Sequence, residues 1–450
     1  MGGQSTHLKR REFLAAAATG GAGMALVPSM AQGGQIAARP RPGKERVVLV
    51  GTGGRGISLW GKTLVEEYGD VVEFVGLCDT NRKRMAFARE YMGVSCPMFS
   101  DREFDEMIQK TSPDRVIVTT IDCFHAKYVC RAMELGLDVI SEKPMATDEK
   151  MVQNIMDTIQ RTGRKVTITH NYRYGPDAEL IKKILDSEEI GIITSVDFNY
   201  YLDTSHGTSY YRRWHGFKQF NGSLLVAKSC HHFDLANWWL GAEPAEVQAF
   251  GALRKFGYNG TFRSQRCAGC PHQDKCEWYY DITKNEFAMN LYVKPSTEDG
   301  YTTDGCVYRR DINIWDTMTL NVRYHSGVLM SYSLNCFMPY EGYKISFNGT
   351  KGRLDARVYH AQPWKVEELA EIRITPLLKE SRTQTVAAGG GGHWGSDTRM
   401  QDMIFRGPKP DPLHQAATPR QAALASLMGI AARRSIEQER PIKIEELVKI

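Results

Sequence analysis

A short apolar run, Val48-Leu49-Val50, passes straight into Gly51-Thr52-Gly53-Gly54-Arg55-Gly56. A G-x-G-x-x-G in that position is expected to form a strand that turns tightly into a helix. Gly51 permits the turn, Gly53 lets backbone approach a pyrophosphate, and Gly56 lets helix and strand pack closely. Gly54 and Arg55 complete the loop, and the helix start offers N–H groups and a positive dipole to phosphates. The second apolar run ends at Asp79, 23 residues beyond Gly56, where a carboxylate accepts ribose hydroxyls and repels a 2′-phosphate. The pattern points to a dinucleotide site that favours NAD, while Arg82 leaves some room for NADP. The bland alternative is a glycine-rich turn that binds nothing; the flanking strand, helix and distant aspartate argue against it.

Apolar runs at 46–50, 71–78, 115–120, 138–141 and 165–170 alternate with amphipathic stretches, the signature of a parallel α/β sheet. One such stretch, 125–135, carries apolar Ala126, Val129, Cys130 and Met133 and stops at Gly136. Beyond Asn171 the strand-like segments 195–202, 317–323, 328–334 and 342–347 crowd together, richer in Tyr, Thr and Phe. They predict a second α/β domain on an open, mainly antiparallel sheet. A glycine-rich loop at 389–392 precedes a closing helix with Thr418 as N-cap and Pro419 in its first turn. The expected organisation is a leader at 1–31, a linker at 32–44, a Rossmann domain at 45–170 and the second domain at 171–450.

Further along, the order is Asp79, Thr119-Thr120, His125, Glu142-Lys143-Pro144 directly after the predicted fourth strand, Asn171-Tyr172-Arg173-Tyr174, and His231-x-x-Asp234. From about residue 45 to the 431–444 segment this resembles the Gfo/Idh/MocA family of NAD(P)-dependent sugar and cyclitol oxidoreductases, which includes the exported glucose–fructose oxidoreductase. The resemblance implies an active site in the cleft between the two domains. It also implies that Lys143 lies at the nicotinamide and orients or polarises the reacting oxygen, and that His231 is the second catalytic residue. Gly51, Gly53, Gly54, Arg55, Gly56, Asp79, Thr119, Thr120, His125, Glu142, Lys143 and Asn171 would flank the cofactor, with His125 structural or cofactor-flanking rather than catalytic. A cis bond before Pro144 is expected.

One departure stands out. Many family members place an aspartate four residues before the histidine; here that position is Ala227, with Lys228 beside it. Either His231 works with Lys143 alone or Lys228 takes over part of the aspartate's role. Tyr172, Arg173, Trp214, Lys228, His232 and His393 are the candidate substrate contacts. Several of these residue types equally build ordinary sheet faces or pack a helix start against Trp238 and Trp239.

Cys267, Cys270, Cys276 and Cys306 form a C-x-x-C with a third cysteine six residues on and a distant fourth, within an insertion near 260–310. That spacing suits a structural zinc site; a disulfide staple or free thiols are the alternatives.

Residues 9–14 read Lys-Arg-Arg-Glu-Phe-Leu, then a weakly apolar Ala/Gly stretch and Ser29-Met30-Ala31. This resembles a twin-arginine signal and predicts export of a folded protein to the periplasm with cleavage after Ala31. The chain has 57 basic and 52 acidic residues, a net charge of +5, and no lysine-rich tract, which ranks nucleic-acid binding low. No later apolar run nears the roughly 20 residues needed to span a bilayer, so membrane insertion is not expected. Three functions compete: a sugar oxidoreductase, a glycoside hydrolase or lyase using NAD transiently, and a non-enzymatic dinucleotide sensor. The retained Lys143 and His231 disfavour the last. A carbohydrate-type small molecule is the expected substrate, and a homo-oligomer, dimer or tetramer, the expected assembly.

Overall fold

The computed structural model describes residues 43–361, 369–387, 392–407 and 409–450. The leader call, nearly all of the 32–44 linker and most of the glycine-rich loop at 389–392 lie outside the described residues.

The first half is a six-stranded parallel sheet of β1 (Glu45–Val50), β2 (Val72–Cys78), β3 (Met98–Phe99), β4 (Arg115–Val118), β5 (Asp138–Ser141) and β6 (Val166–Ile168), in the order β3-β2-β1-β4-β5-β6. This is the doubly wound order, with β1 and β4 at the point where the strand order reverses. Val47 to Val50 are buried because helices cover both faces, which explains the unbroken apolar run. The two-residue β3 is too short to leave a periodic pattern. The helix after the glycine loop, α1, is π-wound over Gly56–Lys62 and α-helical over Thr63–Tyr68. Helix α2 (Arg82–Met92) starts on Asn81, whose side chain accepts from Arg84 N, and ends at left-handed Gly93.

The second half is a nine-stranded sheet made by β7 (Ile193–Asp203), β8 (Pro244–Ala252), β9 (Thr317–Tyr324), β10 (Leu329–Met338), β11 (Glu341–Gly349), β12 (Gly352–Ala361), β13 (Leu369–Pro376), β14 (Arg382–Ala387) and β15 (Ile442–Lys443). Its order is β14-β13-β12-β11-β7-β10-β9-β8-β15; β7 and β10 run parallel and every other pair is antiparallel. Burial alternates along β9 and β10, so one face meets the helices and the other carries polar side chains such as Thr319, Asn321, Ser331 and Ser333. The closing helix, α3 (Pro419–Gln438), begins as its sequence predicts, with Thr418 and Gln421 in a reciprocal capping box. It packs tightly: a Cβ on Gly429 would lie 2.2 Å from Leu225 O. It also ties the two halves together, since Ser426 Oγ accepts from Met145 N at 3.1 Å. Among the described residues no helix is long and apolar enough to cross a membrane.

Candidate active site

The glycine loop has the shape a dinucleotide needs. Gly51 sits at φ +93°, and a Cβ there would lie 2.7 Å from Thr119 and Thr120 backbone atoms. A Cβ on Gly56 would lie 2.4 Å from Thr119 Oγ1, so only glycine lets the helix approach β4 this closely. A Cβ on Gly53 would meet nothing nearer than the Tyr292 hydroxyl at 3.8 Å, leaving that edge to a ligand. Thr119 packs beneath the turn, its Oγ1 donating to Gly51 O at 2.6 Å. Asp79 stands at the end of β2, but its carboxylate already accepts from Thr52 N and Oγ1 at 2.7 and 2.9 Å and from Asn81 N at 3.0 Å. It therefore braces the loop, a role beyond the ribose contact expected of it.

Arg55, expected to flank the cofactor, directs its guanidinium to two buried carboxylates. Nε donates to Glu142 Oε1 at 2.8 Å, and Nη1 and Nη2 grip Asp397 at 3.1 and 3.0 Å. Trp60 Nε1 also donates to Glu142, at 2.9 Å, and Asn171 Nδ2 to Asp397 at 2.7 Å. His393 Nδ1 lies 2.8 Å from Asp397 Oδ2, so the glycine loop, the Glu-Lys-Pro turn and the His393 loop share one ionic node. Burial raises the Asp397 pKa, but His393 and Arg55 outweigh it and hold the carboxyl well below the usual range. Besides His393 four positions away, Asp397 draws its partners Asn171 and Arg55 from 226 and 342 positions off.

Lys143 follows β5 in the turn whose Lys143–Pro144 bond is cis. Its Nζ donates at 3.1 Å to the carbonyl of Ala227, four positions before His231. Burial disfavours the ammonium, yet Cys230, Tyr210, Asp122 and Glu142 around it prevail and hold its pKa above the ordinary lysine value. Lys143 is therefore a cationic donor at neutral pH. Asp122, just after β4, is buried, and burial pushes it up to about 8 against the pull of Lys143. His125 is almost fully buried between Pro144 O at 2.8 Å and Thr120 O at 3.2 Å, a positioning role.

Opposite Lys143, His231 stacks on Tyr172 with ring centroids 4.2 Å apart and planes within 9°. Burial, with Lys143 and Lys228 nearby, keeps this imidazole far below its usual pKa and so neutral. Lys228 is 3% exposed; its Nζ donates to Tyr172 Oη at 3.0 Å and lies 3.4 Å from Glu341 Oε1. Glu341 also takes Tyr200 Oη at 3.1 Å and His206 Nδ1 at 2.7 Å. Nothing local marks this glutamate in the sequence: it opens β11, 113 residues from Lys228.

Two of the expected contacts are deeply buried. Arg173 is fully buried and bidentate on Asp234, at 2.8 and 2.6 Å, with Nη1 on His414 O; it is core, because an uncovered guanidinium there would lack partners. His232 is likewise fully buried, its Nδ1 2.7 Å from Tyr332 Oη and its ring 3.8 Å from that of Tyr200, while its Nε2 has no hydrogen-bond partner. Trp214 is half-buried and stacked on His215 at 3.5 Å. The zinc expectation finds no support either. All ten cysteines are free, and among the described residues no group of three or more His, Cys, Asp or Glu is placed to hold a metal. Asp304 closes the insertion instead, accepting from Arg266 Nε at 2.9 Å and Ala268 N at 3.0 Å, while Cys267 Sγ accepts from Arg212 at 3.1 Å.

Comparison with known proteins agrees with this geometry. The oxidoreductase-family models match the chain twice, the NAD-binding Rossmann fold over 45–170 and the C-terminal alpha/beta domain over 182–444. The putative oxidoreductase YteT of Bacillus subtilis is 34% identical over 425 residues, spanning 90% of this chain and 99% of that protein. Glycosyl hydrolase family 109 protein 2 of Akkermansia muciniphila is 30% identical over 158 residues, 34% of this chain and 33% of that one. The WlbA dehydrogenase of Bordetella pertussis, solved with NADH and UDP-GlcNAcA, shares the fold at a TM-score of 0.61 and 18% identity, covering 89% of this chain and 98% of that one. With both halves matched in order around a dinucleotide cradle, this chain belongs to the Gfo/Idh/MocA family and is an NAD(P)-dependent oxidoreductase.

Proposed function

We propose that the protein moves a hydride between a retained NAD(H) and a carbinol carbon of a sugar or sugar derivative. The observation that carries this reading is a group of buried polar atoms without a hydrogen-bond partner near Lys143: Asn171 Oδ1, His231 Nδ1 and His170 Nε2. Each such atom left unpaired costs about 1–3 kcal/mol, so a polyhydroxylated ligand suits the site better than an apolar one. The Gly51–Gly56 loop would hold NAD(H), which would supply the hydride chemistry. Lys143 holds and polarises the reacting oxygen as its ammonium. The neutral His231 takes the hydroxyl proton on its imidazole, and the nearby Lys143 and Lys228 charges make it quick to give that proton back. Lys228 compensates for the missing aspartate at Ala227 by fixing the Tyr172 phenol, and with it the ring on which His231 stacks.

The twin-arginine leader belongs to the same reading. Export of a folded protein carries its cofactor along, and outside the cytoplasm an exchanging dehydrogenase would stop after one turnover. The hydride is then returned to a second sugar, as in glucose–fructose oxidoreductase, or to the same substrate. The latter is the second reading, an oxidation–elimination–reduction cleavage of a glycoside, favoured by Ala227 and by the similarity to the family 109 glycosyl hydrolases. The polar open face of the large sheet is the surface on which a dimer or tetramer would pair.

The test uses gel-filtered protein with sugars, sugar pairs or aryl-glycosides and no added cofactor. Turnover without added NAD is expected, and Lys143→Ala should lower it by at least about 100-fold. Strict dependence on added NAD with stoichiometric NADH release would overturn the closed cycle. Near-normal turnover by Lys143→Ala would overturn the placement of the chemistry.

A further inference from the structure

Within the insertion near 260–310, between Cys276 and Cys306, the chain returns to the first domain and lies across its nucleotide loop. Asn285 caps a short helix there, its side chain accepting from Ala288 N at 2.9 Å, and left-handed Gly300 ends the segment. Between them Tyr292 Oη accepts the Gly54 N–H at 2.8 Å. That amide is one of the donors with which a helix start takes a phosphate. Phe287 and Leu291 flank the same point, 3.7 and 3.8 Å from where a Gly54 Cβ would stand. Further on, Asn81 Nδ2 donates to Pro295 O and Asp299 Oδ2, both at 2.9 Å, and Arg82 N donates to Glu298 Oε2 at 2.7 Å. Asp79, Glu298 and Asp299 thus gather at the end of β2, where a Rossmann fold seats the adenine ribose. The buried guanidinium there, Arg84, is already shared between Asp299 at 2.7 Å and Asp79 at 3.6 Å.

We propose that residues 286–299 are a strap belonging to the dinucleotide site, in which Tyr292 holds the pyrophosphate and Glu298 with Asp299 excludes a 2′-phosphate. The Tyr292 hydroxyl accepts from the loop and has its own proton free to donate, so it extends the row of donors toward a phosphate oxygen. Two carboxylates contributed by the second domain add to Asp79 within a Debye length, so a doubly charged 2′-phosphate is repelled more strongly than by Asp79 alone. The strap crosses the cofactor's path outward, which makes slow release a property of the second domain. This rests on the dinucleotide site alone and not on the sugar chemistry proposed above, so a failed sugar assay leaves it standing.

The experiment measures NAD retained by full-length protein after gel filtration, the NAD release rate, and Kd for NAD and NADP by calorimetry. Tyr292→Phe keeps the ring and is expected to speed NAD release by about tenfold with the NAD/NADP preference unchanged. Glu298→Gln keeps an acceptor for the Arg82 amide and removes only the charge; NADP should bind several-fold tighter and NAD about as before. Asp299→Asn in addition should widen that gain. Release from Tyr292→Phe at the wild-type rate would overturn the retention half. An unchanged NAD/NADP ratio in Glu298→Gln, which keeps the hydrogen bonds of the fold, would overturn the specificity half.

Discussion

Replacing Lys228 with methionine removes a buried cation and keeps the volume of its stem. The ammonium is 3% exposed and Glu341 8%, so the substitution strands a carboxylate that burial alone would drive toward the neutral form. In the wild type Lys228 and His206 overcome that burial and hold Glu341 far below the usual carboxylate pKa. Breaking a buried pair by deleting one partner costs about 3–5 kcal/mol; His206 at 2.7 Å and Tyr200 at 3.1 Å remain, so about 3 kcal/mol is the expected loss. For domains of this size that lowers Tm by roughly 5–10 °C at pH 7. The pH dependence follows from the sign of the shift. A carboxylate whose pKa is depressed by folding stabilises the protein above its unfolded pKa, and that contribution fades as pH falls. The gap in Tm between wild type and Lys228→Met should therefore be widest above about pH 5 and narrow below the ordinary glutamate value of 4.5. Adding Glu341→Gln should restore much of the loss, with a coupling of 2 kcal/mol or more in a double-mutant cycle, on the order of that for contacting buried charges. Thermal melts from pH 4 to 8 decide it. Equal Tm values at pH 7, or a gap that does not move with pH, would refute the idea that Lys228 and Glu341 act as a pair.

Two further outcomes follow from the same structure. Arg173→Leu should behave as a folding lesion, with soluble yield and Tm falling sharply because Asp234 loses its bidentate partner; a variant with wild-type Tm and only a raised KM would return Arg173 to the substrate site. Asp122→Asn should match wild type near pH 4 and grow relatively more stable up to about pH 8, since a carboxyl whose pKa rises on folding, here from 3.8 to about 8, loses its stabilising contribution as pH climbs through that window. A difference in Tm that is flat across that range would show that Asp122 does not titrate there.

Local grammar made a large part of this protein legible in its sequence. The glycine spacing, the strand-end Asp79, the Thr418-Pro419 helix start and the Glu-Lys-Pro turn each work through neighbours a few positions away, so their chemistry can be read in order along the chain. The two-residue β3 and β15 and the edge strand β14 leave little pattern of their own, because short or edge strands owe their existence to the partner they pair with, and the longer β8, β12 and β13 likewise take their place from the strands on either side. The candidate site divides in the same way. Lys143 and His231 came from motif positions, whereas Glu341, Asp397 and Tyr292 were invisible, since each gains its meaning from a partner more than a hundred positions away. Burial decided the rest: Arg173 and His232 are polar residues that looked like ligand contacts, and only the packing of α3 and the large sheet around them turned them into core. Sequence alone determined the dinucleotide loop and the longer strands and helices around it, because those depend on backbone stereochemistry and local pattern. The tertiary structure decided which charges face one another, because a salt bridge or an orphaned polar atom depends on distances that only the folded chain has.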